Sequence, residues 1–160
     1  MQTAYFAGGC FWGMQLLFDD VPGVFETRVG YMGGTLMNPT YEAVCSDATG
    51  HAETVEIIFD PDVISYEALL DLFFEHHDPT TLNRQGSDVG TQYRSAIFYT
   101  NEVQRRLALR VIQEKINSKQ FQHPITTQVI EASRFFPAEE YHQHYWAKKG
   151  KRGCLFSRKN

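Results

Sequence analysis

The sequence predicts an α+β fold, a ferredoxin-like two-layer sandwich on a β-α-β-β-α-β core with long functional loops and a mobile C-terminal tail. Two kinds of segment predict it. Short apolar runs bounded by Gly, Pro and Asp read as strands, and segments with apolar residues at i, i+3, i+4 and i+7 read as core-facing helices. In chain order, the first four strands and the two helices between them follow the split βαβ pattern.

Residues 2–7 read as a strand ended by Gly8-Gly9, and residues 11–20 as a helix with Phe11, Met14, Leu17 and Phe18 apolar at helical spacing. Pro22-Gly23 is a turn, and residues 24–31 form the next strand. Residues 33–50, broken by Asn38-Pro39, make a loop of the length that usually carries function. Residues 53–59 form a strand with Val55, Ile57 and Phe59 on one face, ended by Pro61. Ser65 caps the second helix, whose stripe runs through Tyr66, Leu69, Leu70, Phe73, Phe74 and His77 to a stop at Asp78-Pro79. A polar loop over 80–93 leads to a strand at 94–99. Asn101 caps a long helix expected to turn Val103, Leu107, Val111 and Ile116 inward; residues 126–130 are a last strand, and 138–147 are weakly helical. From Lys148 the chain is basic and interrupted by Gly150 and Gly153. One domain over 1–147 is therefore expected, followed by a mobile tail over 148–160.

A hydrophobic fraction of 42% and a charged fraction of 21% fit a soluble globular chain. The 160 residues suffice to bury a core without a disulfide or a metal. A net charge of −4 argues against nucleic-acid or membrane-surface binding. Residues 1–6 carry no Lys or Arg, and no apolar run reaches the length of a signal or spanning segment, so a cytoplasmic protein is expected; a monomer is the separate expectation for its assembly. Three cysteines do not make a disulfide scaffold, and each thiol is judged by its chemistry.

Cys10 stands where the first strand passes into the first helix. Gly8 and Gly9 allow a sharp turn and leave the sulfur approachable. Free N–H groups at a helix N-terminus favour the thiolate, which is the nucleophilic form. The competing reading is a buried core thiol, the commonest fate of a free cysteine. Phe11 and Trp12 read either as core side chains or as the walls of an apolar pocket beside the nucleophile.

The run Gly8-Gly9-Cys10-Phe11-Trp12-Gly13 resembles the signature of the peptide methionine sulfoxide reductase A family. Three further stretches resemble the same family in the same order: Asn38-Pro39-Thr40-Tyr41, Thr49-Gly50-His51-Ala52-Glu53, and Arg84-Gln85-Gly86-Ser87-Asp88-Val89-Gly90-Thr91-Gln92-Tyr93-Arg94-Ser95. The likeness spans about residues 4 to 147. It implies a thiol-dependent oxidoreductase that repairs oxidised proteins by returning the S epimer of methionine sulfoxide, free or protein-bound, to methionine. By resemblance Cys10 attacks the sulfoxide sulfur, and Glu53 is the acid that protonates its oxygen, which requires a partly desolvated carboxyl. Tyr41 and Tyr93 match the phenols that hydrogen-bond that oxygen. Phe11 and Trp12 match the pocket for the substrate's terminal methyl, and Asp88 a residue that orders the site and contacts the substrate main chain. Read without the resemblance, Glu53 is a solvated surface carboxylate, the tyrosines are ordinary core or interface residues, and Asp88 bonds its own backbone in a loop.

The resemblance further implies that a Cys10 sulfenic acid condenses with a second thiol, and that thioredoxin then reduces the disulfide as an external reductant, with no bound cofactor. Cys154, near Lys148, Lys149, Lys151 and Arg152, is the candidate resolving thiol. Cys45 is the alternative, and is otherwise structural. Many family members carry Pro-x-Gly-Tyr before the resolving cysteine, where this chain has Lys149-Gly150-Lys151-Arg152-Gly153.

The six histidines assemble no metal motif. His76 and His77 are adjacent, His142 and His144 lack the i, i+4 spacing, and no Pro-Cys-x-x-Cys follows His51-Ala52-Glu53. Two other functions stay open: a cysteine hydrolase, which needs a histidine within hydrogen-bond reach of Cys10, and a redox-sensing module that binds sulfoxide peptides without turnover.

Overall fold

Alternation along the first strand sets the layers. In the computed structural model, which describes residues 1–46 and 49–150, β1 (Gln2–Gly8) sends Ala4 and Phe6 to one face and Tyr5 and Ala7 to the other. Phe6 meets Phe18 of α1 (Phe11–Asp19) at 5.8 Å between ring centroids. It also meets Tyr66 at 5.9 Å and Phe73 at 5.0 Å, both on α3 (Tyr66–Glu75). One side chain touching two helices puts both on the same side of the sheet. The opposite face carries a smaller cluster of Ala7, Met32, Ala52, Ala96 and Phe98 under Tyr5, Ala132 and Phe135.

The other strands are β2 (Val24–Met32), β3 (Ala52–Phe59), β4 (Arg84–Gln85), β5 (Asp88–Val89), β6 (Ser95–Tyr99), β7 (Gln128–Glu131) and β8 (Phe136–Pro137). Among the described residues, β1 and five of these form one sheet in the order β7-β6-β1-β3-β2-β8, and β4 and β5 pair separately. Within β6-β1-β3-β2 every pair is antiparallel, whereas β6 and β7 run parallel across α4 (Glu102–Asn117). The result is a mixed α/β fold with a mostly antiparallel sheet at its core and one further strand on each edge of β6-β1-β3-β2.

Caps fall where residue type predicts them. Ser65 Oγ accepts from Ala68 N at 3.1 Å, and Asn101 Oδ1 accepts from Gln104 N at 2.9 Å. The long helix, however, is phased differently from the expectation. Val103 and Ile116 are exposed, and the buried face runs through Gln104, Ala108 and Val111, with Leu107 beside it. Gln104 tolerates burial because its amide accepts from Thr100 N and donates to Thr3 O, both at 2.9 Å. A polar residue with its bonds satisfied reads as surface in a sequence.

Residues 138–147 are helical only in short pieces, in line with their weak helical pattern. Residues 140–142 make a single 3₁₀ turn, and α5 spans only Tyr145–Lys148. The break has a cause in Gln143. Its side chain accepts from Val29 N at 3.0 Å and donates to Val29 O at 2.9 Å, taking the place of a strand on the β2 edge. His144 then turns in the left-handed region at φ 53°. Loop 33–50 holds a short helix, α2 (Tyr41–Cys45), capped by Thr40. Loop 80–93 holds the β4–β5 hairpin and a 3₁₀ turn over Thr91–Tyr93.

Candidate active site

The alternation that puts Val55, Ile57 and Phe59 in the core beneath the helices puts Glu53 on the same face, at the start of β3. There it reaches the N-terminus of α1. Glu53 Oε1 accepts the backbone N–H of Phe11 at 3.1 Å, while Oε2 is buried without a partner. The residue is 2% exposed. Burial is the main cause that lifts its carboxyl to a pKa of about 8; the Phe11 N–H opposes the shift and the Asp88 carboxylate adds to it. A carboxyl in this setting is mostly protonated at pH 7.

Cys10 is the residue that starts α1, with Met14 N bonding its carbonyl at 3.4 Å. Backbone N–H groups of Trp12 and Gly13 lower its pKa, as a helix N-terminus should. They do not win. Burial first, then the Glu53 carboxylate and Asp88, push the thiol up to about 12. The expectation that position alone favours the thiolate is therefore corrected: the resting group is a thiol. The main influences on the Cys10 thiol, besides burial, are Glu53, Asp88 and the Trp12 and Gly13 amides.

The two tyrosines come from the two long loops. Tyr41 opens α2, where its N–H bonds Glu139 Oε2 at 3.1 Å. Tyr93 closes the 3₁₀ turn before β6. Burial raises both phenols above their ordinary value, and the Glu53 carboxylate is a further cause for each. Both thus stay neutral and near Glu53. Cys45, exposed, hydrogen-bonds the Tyr41 side chain one turn along α2. Asp88 lies exposed on β5, yet its charge is felt by Cys10, Glu53 and Tyr93.

Phe11 is 1% exposed and packs against Tyr31 and His142 at 5.7 and 5.3 Å between centroids. Trp12 is half-buried. Its indole N–H donates to His142 Nδ1 at 3.0 Å, and its ring stacks on Tyr145 at 3.7 Å. His142 in turn lies 4.4 Å from the Tyr41 ring. Accepting at Nδ1 leaves the proton on Nε2, which is buried without a partner. Burial lowers the pKa of this imidazole, which keeps it neutral.

The sequence model of peptide methionine sulfoxide reductases matches residues 2–160. The chain belongs to the peptide methionine sulfoxide reductase family. It is 54% identical over 157 residues to the peptide methionine sulfoxide reductase MsrA of Methanothermobacter thermautotrophicus, covering 98% of this chain and 93% of that one. It is 53% identical over 154 residues to the MsrA of Acidobacterium capsulatum, covering 96% and 99%. Methionine sulfoxide reductase A of Corynebacterium diphtheriae superposes with a TM-score of 0.82 at 35% identity, over 93% of this chain and 75% of that one. Mxr1 of Saccharomyces cerevisiae in its reduced form superposes at 0.85 with 32% identity, over 94% and 86%. The chain is accordingly an oxidoreductase acting on methionine sulfoxide.

Of the reductase residues picked from the sequence, Cys10, Glu53, Tyr41, Tyr93, Asp88, Phe11 and Trp12 converge on the N-terminal end of α1. Cys154 lies outside the described residues, so its pairing with Cys10 has no geometry here. Sequence reasoning missed Tyr31, Glu139 and Tyr145, and weighed His142 only as a metal ligand. Tyr31 faces Glu53 across the β2–β3 ladder and donates to Glu139 Oε1 at 3.2 Å. The second oxygen of Glu139 accepts from Tyr41 N, so one carboxylate ties β2 to the start of α2. The alternation of the strand over 24–31 held a signal for Tyr31; the others sit in a segment without periodicity.

Proposed function

We propose that the chain reduces the S epimer of methionine sulfoxide, free or within an oxidised protein, through a Cys10 sulfenic acid. The observation that carries this reading is the buried, largely protonated Glu53 with an unpartnered Oε2 beside the Cys10 thiol. Glu53 passes its proton to the sulfoxide oxygen. The Cys10 sulfur attacks the substrate sulfur, and the Glu53 carboxylate takes up the thiol proton. The hydroxyl then moves to Cys10 as the substrate sulfur leaves as a thioether. One thiol and one sulfoxide become one sulfenic acid and one methionine, and Glu53 ends as it began. Tyr41 and Tyr93 donate to the oxygen, Phe11 and Trp12 receive the terminal methyl, and Asp88 binds the substrate main chain.

In this reading residues 1–147 are the catalytic unit, on a ferredoxin-like core formed by β6-β1-β3-β2, and residues 148–160 carry the resolving thiol. Cys154 condenses with the sulfenic acid and releases water, and thioredoxin reduces the disulfide by exchange. Mxr1 has also been solved in complex with Trx2, which is a fact about that protein; for this chain the reductant rests on the exchange chemistry. A thiol cycle of this kind runs in a reducing compartment, in keeping with the expected cytoplasmic location.

The test is dithiothreitol-driven reduction of the separate S and R sulfoxides of a blocked methionine. Turnover of S alone is the expected result, and turnover of R alone, or of neither, overturns the reading.

A further inference from the structure

Gln85 makes two hydrogen bonds to one backbone residue. Its side-chain Oε1 accepts from Asp78 N at 2.8 Å, and its Nε2 donates to Asp78 O at 2.9 Å. The amide thus pairs with the chain just beyond α3 as a neighbouring strand would. The aliphatic part of the same side chain lies on Gly9. A Cβ on Gly9 would sit 2.7 Å from Gln85 Cγ and 2.9 Å from its Cβ, and Gly9 itself stands at φ +99°. Gln85 therefore fills the space between the residue preceding Cys10 and the end of α3.

In the β4–β5 hairpin, Gln85 is the direct cross-strand partner of Asp88. Whatever fixes one fixes the other, since paired residues share a ladder rung about 5 Å wide. Further bonds close the loop behind the hairpin: Thr81 Oγ1 donates to Arg84 O at 2.8 Å, and Gly90 N donates to Asn83 O at 2.9 Å. Only Gln85 joins the hairpin both to the Cys10 turn and to the α3 terminus among these contacts.

We propose that Gln85 is a positioning residue: by pairing with the Asp78 backbone and packing on Gly9, it sets where Asp88 stands relative to Cys10 and Glu53. The proposal rests on the reading of Cys10 and Asp88 given above. Asp88 is one of the charges that disfavour the Cys10 thiolate, together with Glu53, and the Trp12 and Gly13 amides act in the opposite sense. Freeing the hairpin lets Asp88 spend time away from the sulfur, which eases ionisation of the thiol.

The experiment is a double-mutant cycle on the full chain, read by the rate of iodoacetamide alkylation of Cys10 against pH, quantified on the Cys10 peptide by mass spectrometry. Asp88→Asn is expected to move the profile to lower pH. Gln85→Met keeps the methylenes on Gly9 and removes the amide, and is expected to move it the same way by about 0.3 to 1 pH unit, a two- to tenfold rate increase at fixed pH. Added to Asp88→Asn, it should move the profile no further. Gln85→Ala serves as a second variant with the same expectation. An equal shift in both backgrounds, or no shift from either Gln85 variant while Asp88→Asn does shift, overturns the proposal alone. No shift from Asp88→Asn overturns the reading of Asp88 and the proposal with it.

Discussion

Glu53 holds the backbone N–H of Phe11 on one carboxyl oxygen at 3.1 Å and keeps the other oxygen buried with no partner. The bond aims the side chain at the turn that carries Cys10. The free oxygen belongs to a group that burial has made a weak acid, with a pKa of about 8. An acid of that strength delivers a proton near neutral pH and recovers it readily.

The pH dependence follows from the sign of that shift. Glu53 donates only when protonated, so single-turnover reduction should hold up to about pH 7 and fall as pH rises through about 8. Stopped-flow or quenched single turnovers from pH 6 to 9.5 check this. In Glu53→Gln the amide cannot donate the proton, and the rate at pH 7 should drop roughly 10²- to 10⁴-fold.

The same shift makes Glu53 a stability cost at high pH. Its folded pKa of about 8 lies above the ordinary 4.5, so between those values the folded state binds more protons than the unfolded state. Stability contributed by this group therefore falls as pH rises across that window. Glu53→Gln should be more stable than the wild type at pH 8 to 9, by on the order of a few kcal/mol, and melt at a higher temperature, and the gap should shrink toward pH 5. Thermal melts by circular dichroism at three pH values read the trend.

Particular residues show how much of this was legible. Strands alternate every second residue, so Glu53 inherits the inward face of Val55, Ile57 and Phe59, and the spacing already contained that fact. The Gly8-Gly9 turn likewise put Cys10 at a helix start. The protonation state of Cys10 was not legible, because it depends on depth of burial and on a carboxylate 43 residues away, 53 − 10, and these outweigh the local helix effect. On the helix over 102–117 the pattern gives Val111 and Leu107 their inward places but not Val103 and Ile116, since Gln104 is buried on bonds that only the fold supplies. The 138–147 segment is weakly helical, as expected, but its interruption comes from a side chain, Gln143, that substitutes for a strand's backbone. Such a contact leaves no periodic trace.

Trp12 links the Cys10 helix to the C-terminal segment through its bond to His142 and its stack on Tyr145. Trp12→Phe keeps an aromatic ring but leaves His142 Nδ1 buried and unpaired. The cost should be about 1–3 kcal/mol, seen as a Tm lowered by roughly 2–10 °C. If Trp12 walls the methyl pocket as proposed, the KM for sulfoxide should rise as well. Melting curves and steady-state kinetics with dithiothreitol test both.

The resolving step is checked by substitution at both remaining thiols. Cys154→Ser should reduce one equivalent of sulfoxide and then stall with thioredoxin as the reductant, whereas Cys45→Ser should keep turning over. Stalling in Cys45→Ser with full turnover in Cys154→Ser would reverse the assignment.

In the proposed reaction Cys10 itself takes the sulfoxide oxygen. The direct measurement mixes Cys154→Ser protein, without any reductant, with excess blocked methionine S-sulfoxide, and counts methionine released and Cys10 oxidised by peptide mass. One methionine per chain and one oxygen atom gained at Cys10 are expected, both abolished by Cys10→Ser. Methionine released by Cys10→Ser, or release from the parent with Cys10 left as a free thiol, would contradict it.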